Sequence, residues 1–378
     1  MKVAFIANSV WYLSNFRAST LEAFSRRHAV SCLIPTQDDP SPLLARLDVT
    51  LAPFYLDAVS TQPLKEARAS FSLIATLRRV RPAVVYSFNP KTNLYALIAC
   101  WLLRLPCVPN VSGVGVASQL GGVKGWLYRG LAGFFYRRAR HVFFQNRQDR
   151  EAFLQAGWVS EARSEVIPGS GVDLARFVPR PREPGRPVRF LMAARLLKAK
   201  GVPEYLQASR ELQAHMPGKV EFLLAGTLEP TERGVPKASI EAWAGEAGMT
   251  FLGHIDDMPA LLDTVDCVVL PSYYPEGVPR SLIEAAAAGK VVVTTAMPGC
   301  EEVVLPGENG WCVPPQDVPA LCQAMRRVAE LDEAGLARMG QASRALAEQR
   351  FDEALVIERY WQVLPQDGAG NREVERSR

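Results

Sequence analysis

Residues 267–289 read CVVLPSYYPEGVPRSLIEAAAAG. A short apolar run, Cys267–Leu270, passes into a loop punctuated by Pro271, Pro275, Gly277 and Pro279, and then into an alanine-rich stretch closed by Gly289. The order is strand, loop, helix. A run apolar on successive positions has both faces buried, as in the middle of a parallel sheet. Pro279 falls at the first helical turn, where a missing N–H costs nothing. The N–H groups of Gly277, Val278, Arg280 and Ser281 then point out of the helix start, where the helix dipole favours an anion.

The same alternation runs outward in both directions. Towards the N-terminus, strands are expected at Val188–Ala193, Val220–Ala225 and Thr250–Leu252, and beyond it one at Val291–Thr294. Helices are expected near 202–215, 237–247, 257–264, 280–288 and 317–330. The first half repeats the pattern, with strands at Val3–Ala7, Val30–Ile34, Val84–Phe88, Cys107–Val111, Val142–Phe144 and Ser164–Ile167. Its helices are expected near 15–27, 64–79, 91–104, 123–138 and 148–156. Strands alternating with helices mean βαβ units and a parallel sheet. The segment 178–187 (VPRPREPGRP) has no periodicity and is rich in proline and arginine, as a linker is. The expected class is therefore α/β, with two doubly wound Rossmann-like domains facing across a cleft. The expected division is 1–177, linker 178–187, and 188–350. A C-terminal helix, 351–365, packs back on the first domain, and a polar tail, 366–378, is disordered. Ligands of such sheets bind at the carboxyl ends of the strands.

Bulk properties bound the function. A chain of 378 residues supports two cores without disulfide or metal staples. Seven scattered cysteines with no C-x-x-C pair, and four histidines with no ligand spacing, predict a reducing compartment and no metal. A net charge of +4 does not call for nucleic acid. The opening MKVAFIANS reads as a first strand rather than a signal peptide. The longest charge-free apolar stretch, 94–103, is about half of a bilayer span. The expectation is a cytoplasmic protein, soluble or held at the inner membrane surface.

The expected chemistry centres on two segments. Glu276 and Glu284 flank the anion site, which suits a diphosphate whose attached sugars offer hydroxyls to each carboxylate. At the end of the Val188–Ala193 strand, AARLLKAKG (193–201) places Arg195 and Lys200 to neutralise a leaving diphosphate. Read singly, these could be helix-dipole partners and solvated surface charges.

The pairing of R-x-x-x-x-K-G (195–201) with E-G-x-P-x-x-x-x-E-A (276–285) resembles the family 4 glycosyltransferases of the GT-B fold. WYLSNFR (11–17), FQNRQD (144–149), IPGSGVDLARF (167–177), PGCEEVV (298–304) and NGWCVP (309–314) extend the resemblance over essentially the whole ordered chain. The resemblance is to a subgroup that adds single sugars to lipid-linked glycans. It implies that Glu284 binds ribose hydroxyls and that Glu276 binds the donor sugar and supports charge at its anomeric carbon. Gly277, Val278 and Pro279 would form the phosphate and sugar loop, and the backbone at His254–Ile255 would meet the base. UDP is the implied nucleotide, no metal or other cofactor is implied, and anomeric configuration is retained. Two departures stand out. Leu13, Ser14 and Asn15 occupy the first loop where many relatives carry a Gly-Gly pair. The loop Asn110–Ser118 lacks a histidine, leaving Ser112, Gly113 or Gly115 to line the site through the backbone.

For the acceptor, Gly121–Arg140 combines five aromatic residues with five basic ones and no acid. It fits an anionic membrane surface or a lipid diphosphate, or equally an ordinary helix with aromatics inward and arginines outward. Arg17 is either acceptor-facing or a surface arginine. Competing readings are a GT-B enzyme with a soluble acceptor and an inactive sugar-nucleotide-binding homologue. An oxidoreductase would need G-x-G-x-x-G after the first strand, which Asn8–Arg17 lacks.

Overall fold

The computed structural model describes residues 1–39, 41–57, 62–113 and 122–365. Gly115, Gly121 and the tail 366–378 lie outside the described residues. The chain forms two units, Met1–Ser170 with the segment from Glu353 onward, and Gly171–Asp352.

The first unit is built on a parallel sheet. Its strands are β1 (Lys2–Ile6), β2 (Ala29–Pro35), β3 (Val49–Phe54), β4 (Val84–Phe88), β5 (Cys107–Val111), β6 (Val142–Phe144) and β7 (Ser164–Val166), in spatial order β3-β2-β1-β4-β5-β6-β7. The central strands are buried along both faces, which is why they read as unbroken apolar runs. One face carries the helices Pro63–Val80, Pro90–Leu103 and Gly122–Tyr136. The other carries Val10–Phe16, Ala18–Ser25 and the C-terminal helix Glu353–Gln362, whose Val356, Ile357 and Tyr360 complete the core.

The second unit repeats the plan with β8 (Val188–Ala193), β9 (Val220–Ala225), β10 (Met249–Gly253), β11 (Cys267–Leu270), β12 (Val291–Thr295) and β13 (Gly310–Val313), ordered β10-β9-β8-β11-β12-β13. All pairs are parallel. The chain winds outward from β8 through β9 to β10, then returns to β11 and winds the other way. The switch point lies between β8 and β11.

Three sequence expectations change. The helix expected at 15–27 is two helices, Val10–Phe16 and Ala18–Ser25, broken at Arg17. Ser9 starts the first by accepting a hydrogen bond from the Tyr12 N–H at 3.2 Å, so the loop after β1 is short and Leu13, Ser14 and Asn15 are helical. The chain divides at Ser170/Gly171, so 178–187 belongs to the second unit. Arg182 Nε donates to Asp266 Oδ1 at 3.1 Å, and Arg186 donates to both Asp266 oxygens at 2.7 and 2.8 Å, pinning the segment beside β11. Two strands, β3 and β13, occur where none was expected, each at a sheet edge.

Candidate active site at the switch point of the second sheet

The loops leaving β8 and β11 emerge side by side at the carboxyl end of the sheet, where doubly wound folds bind ligands. The β8 loop ends in a short 3-10 turn, Lys198–Lys200, and Gly201. Gly201 has φ of 82°, and a Cβ there would stand 2.2 Å from the Pro271 carbonyl oxygen. Only glycine permits this approach, which sets the two loops against each other. The Tyr273 N–H donates to the Ala199 carbonyl at 2.9 Å and stitches them together.

Lys200 Nζ donates to Glu276 Oε2 in a close ion pair, with the two side chains only 11% and 15% exposed. The other Glu276 oxygen accepts from Ser272 Oγ at 2.8 Å. The carboxylate is thus oriented by two donors from two loops, as a residue must be to act at a defined atom. Glu276 lies four residues ahead of the helix Arg280–Ala287, whose N-cap, Pro279, makes no side-chain capping bond. One turn into that helix Glu284 Oε1 accepts from Arg280 Nε at 2.7 Å. Beneath the loop, burial pushes the Cys300 thiol up to about 12, with the nearby Glu276 charge adding to it, so the thiol is neutral. Arg195 Nη1 lies 3.7 Å from Glu229, on the loop after β9, and its side chain is about half exposed. A cationic pair, two carboxylates and an uncapped helix start therefore converge on one end of one sheet.

Two family models divide the chain between them: the glycosyl transferase 4-like domain matches residues 16–170, and glycosyl transferases group 1 matches 176–346. This chain belongs to the family 4 glycosyltransferases of the GT-B fold. Among relatives, it is 24% identical over 95% of its length and 97% of the other protein to an N,N'-diacetylbacillosaminyl-diphospho-undecaprenol alpha-1,3-N-acetylgalactosaminyltransferase of Campylobacter jejuni. It is 30% identical over 74% of its length to a glycogen synthase of Mycobacterium tuberculosis, spanning 67% of that protein. Anabaena Alr3699/HepE, solved in complex with UDP and glucose, superposes with a TM-score of 0.76 at 20% identity, covering 96% of this chain and 99% of that one.

In this glycosyltransferase the residues expected from sequence fall into two groups. Lys200, Glu276, Gly277, Val278, Pro279 and Glu284 share the switch-point end of the second sheet, with Arg195 on the β8 loop. His254 and Ile255 follow β10, two strands away on the same sheet. His254 Nε2 lies 3.2 Å from Asp256 Oδ1 at the surface, and Ile255 packs on the core.

The second group belongs to the first unit. Ser14 and Asn15 are not loop residues. Ser14 is buried and its hydroxyl donates to the Val10 carbonyl at 3.0 Å, while Asn15 Nδ2 donates to the Trp11 carbonyl at 3.0 Å. Both side chains thus bond within the helix Val10–Phe16. Gly113 follows β5 with φ of 89°. Arg17 is neither a surface nor an exposed acceptor residue. It is 1% exposed, its Nη2 donates to Tyr12 Oη at 3.3 Å, and its guanidinium lies 4.5 Å from the Phe88 ring and 5.8 Å from the Tyr360 ring. Ser272 and Glu229 were not expected from sequence. Serine four residues before Glu276 is the only local signal, and the Glu229 contact joins loops from different strands.

Proposed function

We propose that this glycosyltransferase moves a hexose or N-acetylhexosamine from a nucleotide-diphosphate sugar, with UDP as the nucleotide, to a polyprenyl-diphosphate-linked glycan, with retention of anomeric configuration. The observation that carries the reading is the Glu276 carboxylate, held by Lys200 and Ser272 beside the uncapped helix start and one turn from Glu284. The diphosphate sits at the helix start, with Arg195 and Lys200 as its counter-charges. Glu284 receives the ribose hydroxyls. Glu276 receives hydroxyls of the transferred sugar and opposes the positive charge that develops at its anomeric carbon. An acceptor hydroxyl attacks that carbon from the side on which the bond to the diphosphate breaks, and its proton passes to the departing phosphate oxygen. No enzymic nucleophile and no metal enters this scheme, since two protein cations take the charge.

The lipid-linked acceptor is supported by the nearly full-length similarity to the Campylobacter jejuni undecaprenol-linked transferase, and on this reading the protein works at the cytoplasmic face of the cell membrane. A soluble acceptor is favoured by the similarity to the mycobacterial glycogen synthase. One experiment separates them. Purified protein is incubated with radiolabelled UDP- and GDP-sugars, a bacterial lipid extract and EDTA, beside the Glu284→Ala variant. Label from one UDP-sugar entering the organic phase, and absent with the variant, is the expected result. Label found only on a water-soluble glycan moves the acceptor to the second reading, and transfer abolished by EDTA removes the metal-free mechanism.

A further inference from the structure

Between Glu66 and Asp149 the sequence contains no aspartate or glutamate, yet it holds twelve lysines and arginines. The whole chain is only +4, so the rest of it is net negative. In this acid-free block six of the twelve cations lie within three helices, and Arg81, Arg104 and Arg137 directly follow them. The block contains nearly all of the helices Pro63–Val80, Pro90–Leu103 and Gly122–Tyr136, which lie side by side over one face of the first sheet.

The outward side of this layer is apolar as well as basic. These helices hold seven of the thirteen exposed large apolar side chains among the described residues, a concentration that ordinary scattered exposure does not produce. Trp126 is 72% exposed and Phe71 73%, and Trp101, Leu102, Leu131 and Phe134 on the same three helices are exposed as well. Trp101 and Phe134 meet edge to face at 5.8 Å, across two helices, and the Arg138 guanidinium covers the Phe134 ring at 3.5 Å. Arg104 and Arg138 line a groove of about 510 Å³ with Trp101 and Leu102. Tryptophan and phenylalanine beside arginine form the pattern of a surface seated at the level of lipid head groups, aromatic rings inward and cations among the phosphates. Among the described residues no helix is long and apolar enough to cross a membrane, so such a layer would lie on the bilayer.

We infer that this three-helix face docks the protein on an anionic bilayer. The occupant follows from charge: the three helices carry seven cations, Lys65, Arg68, Arg78, Arg79, Lys91, Lys124 and Arg129, with Arg104 and Arg138 just beyond their ends, against one carboxylate, Glu66, which Lys91 already pairs, and this excess complements the negative surface potential of acidic phospholipids. The inference rests on the membrane-linked acceptor proposed above and gives it a place, since a face seated on the bilayer brings the first unit to its lipid-anchored substrate.

The test needs neither donor nor glycan acceptor, so it stands apart from the transfer assay. Full-length protein is sedimented with vesicles of equal parts phosphatidylglycerol and phosphatidylcholine, and with phosphatidylcholine alone. Binding is expected on the acidic vesicles only, weakening as salt is raised. Vesicles with brominated acyl chains should quench tryptophan fluorescence, and Trp101→Phe with Trp126→Phe should remove that quenching. The pair Arg104→Glu and Arg138→Glu should lower partitioning at least about tenfold, from two reversed charges near the surface. An unchanged melting temperature shows that the pair folds. Equal binding to both vesicle types, no binding to either, or quenching that survives the Trp101 and Trp126 replacements would overturn the inference. So would preference for duplex DNA over acidic vesicles at equal ionic strength.

Discussion

Glu276 and Glu284 lie eight positions apart on one loop and helix, yet their surroundings differ. Glu276 is held by Lys200 from the loop after β8 and by Ser272 of its own loop, while Glu284 is held by Arg280 of its own helix. On the proposed function the two carboxylates serve different parts of the donor and should fail differently. Glu276→Gln keeps the shape and the Ser272 contact but loses the charge facing the anomeric carbon. Transfer should fall about a hundredfold or more, the loss typical of removing one electrostatic partner of a transition state. UDP binding, measured by calorimetry, should stay within about threefold. Glu284→Ala should instead weaken UDP binding by about tenfold or more, the effect of losing a charged hydrogen bond. Equal losses of UDP affinity in both variants would sink the division of labour. The charged residues were legible in sequence because they fall in a dense local pattern. Arg17 was not, because what buries it comes from afar: Phe88 on β4 and Tyr360 on the last helix meet it only in the folded unit.

At the scale of elements, strands buried on both faces announce themselves as apolar runs, and those at 84–88, 107–111, 188–193, 220–225 and 267–270 stand where the pattern puts them. The strands at Val49–Phe54 and Gly310–Val313 do not. Each lies at a sheet edge with one neighbour, and each is only partly buried. An edge strand needs less apolar character, and β3 even accommodates Pro53. The placement of loops is set by tighter constraints, and Gly201 tests them. A methyl group there would meet the Pro271 carbonyl oxygen at 2.2 Å, and the φ of 82° is strained for any other residue. Gly201→Ala should therefore cost at least about 2 kcal/mol in urea unfolding. It should also separate Lys200 from Glu276 and lower transfer beyond the loss of folded protein. An unchanged unfolding midpoint would mean that the two loops part without cost and do not position the site.

At the scale of the molecule, the chain leaves the first unit at Ser170 and re-enters it at Glu353. The returning helix supplies part of the first unit's core. Val356 and Tyr360 are fully buried, Tyr86 Oη donates to the Tyr360 carbonyl at 2.6 Å, and Asn110 donates to the Tyr360 hydroxyl. Arg140 Nε donates to the Val363 carbonyl at 2.7 Å. The second unit, by contrast, is continuous from Gly171 to Asp352 and has its own cluster of buried residues. A chain ending at Asp352 should therefore lose stability in one unit and keep it in the other. Removing three large buried side chains costs several kcal/mol at about 2–5 each, of the order of a whole domain's stability. Heating the truncated protein should give a low transition that UDP leaves in place and a higher one that UDP raises. The ligand stabilises only the unit that binds it, by about 2.7 kcal/mol at a hundredfold excess over its dissociation constant. If truncation instead abolished UDP binding, the second unit would depend on the first for its fold. The donor site could then no longer be treated as the property of one sheet and the loops at its carboxyl end.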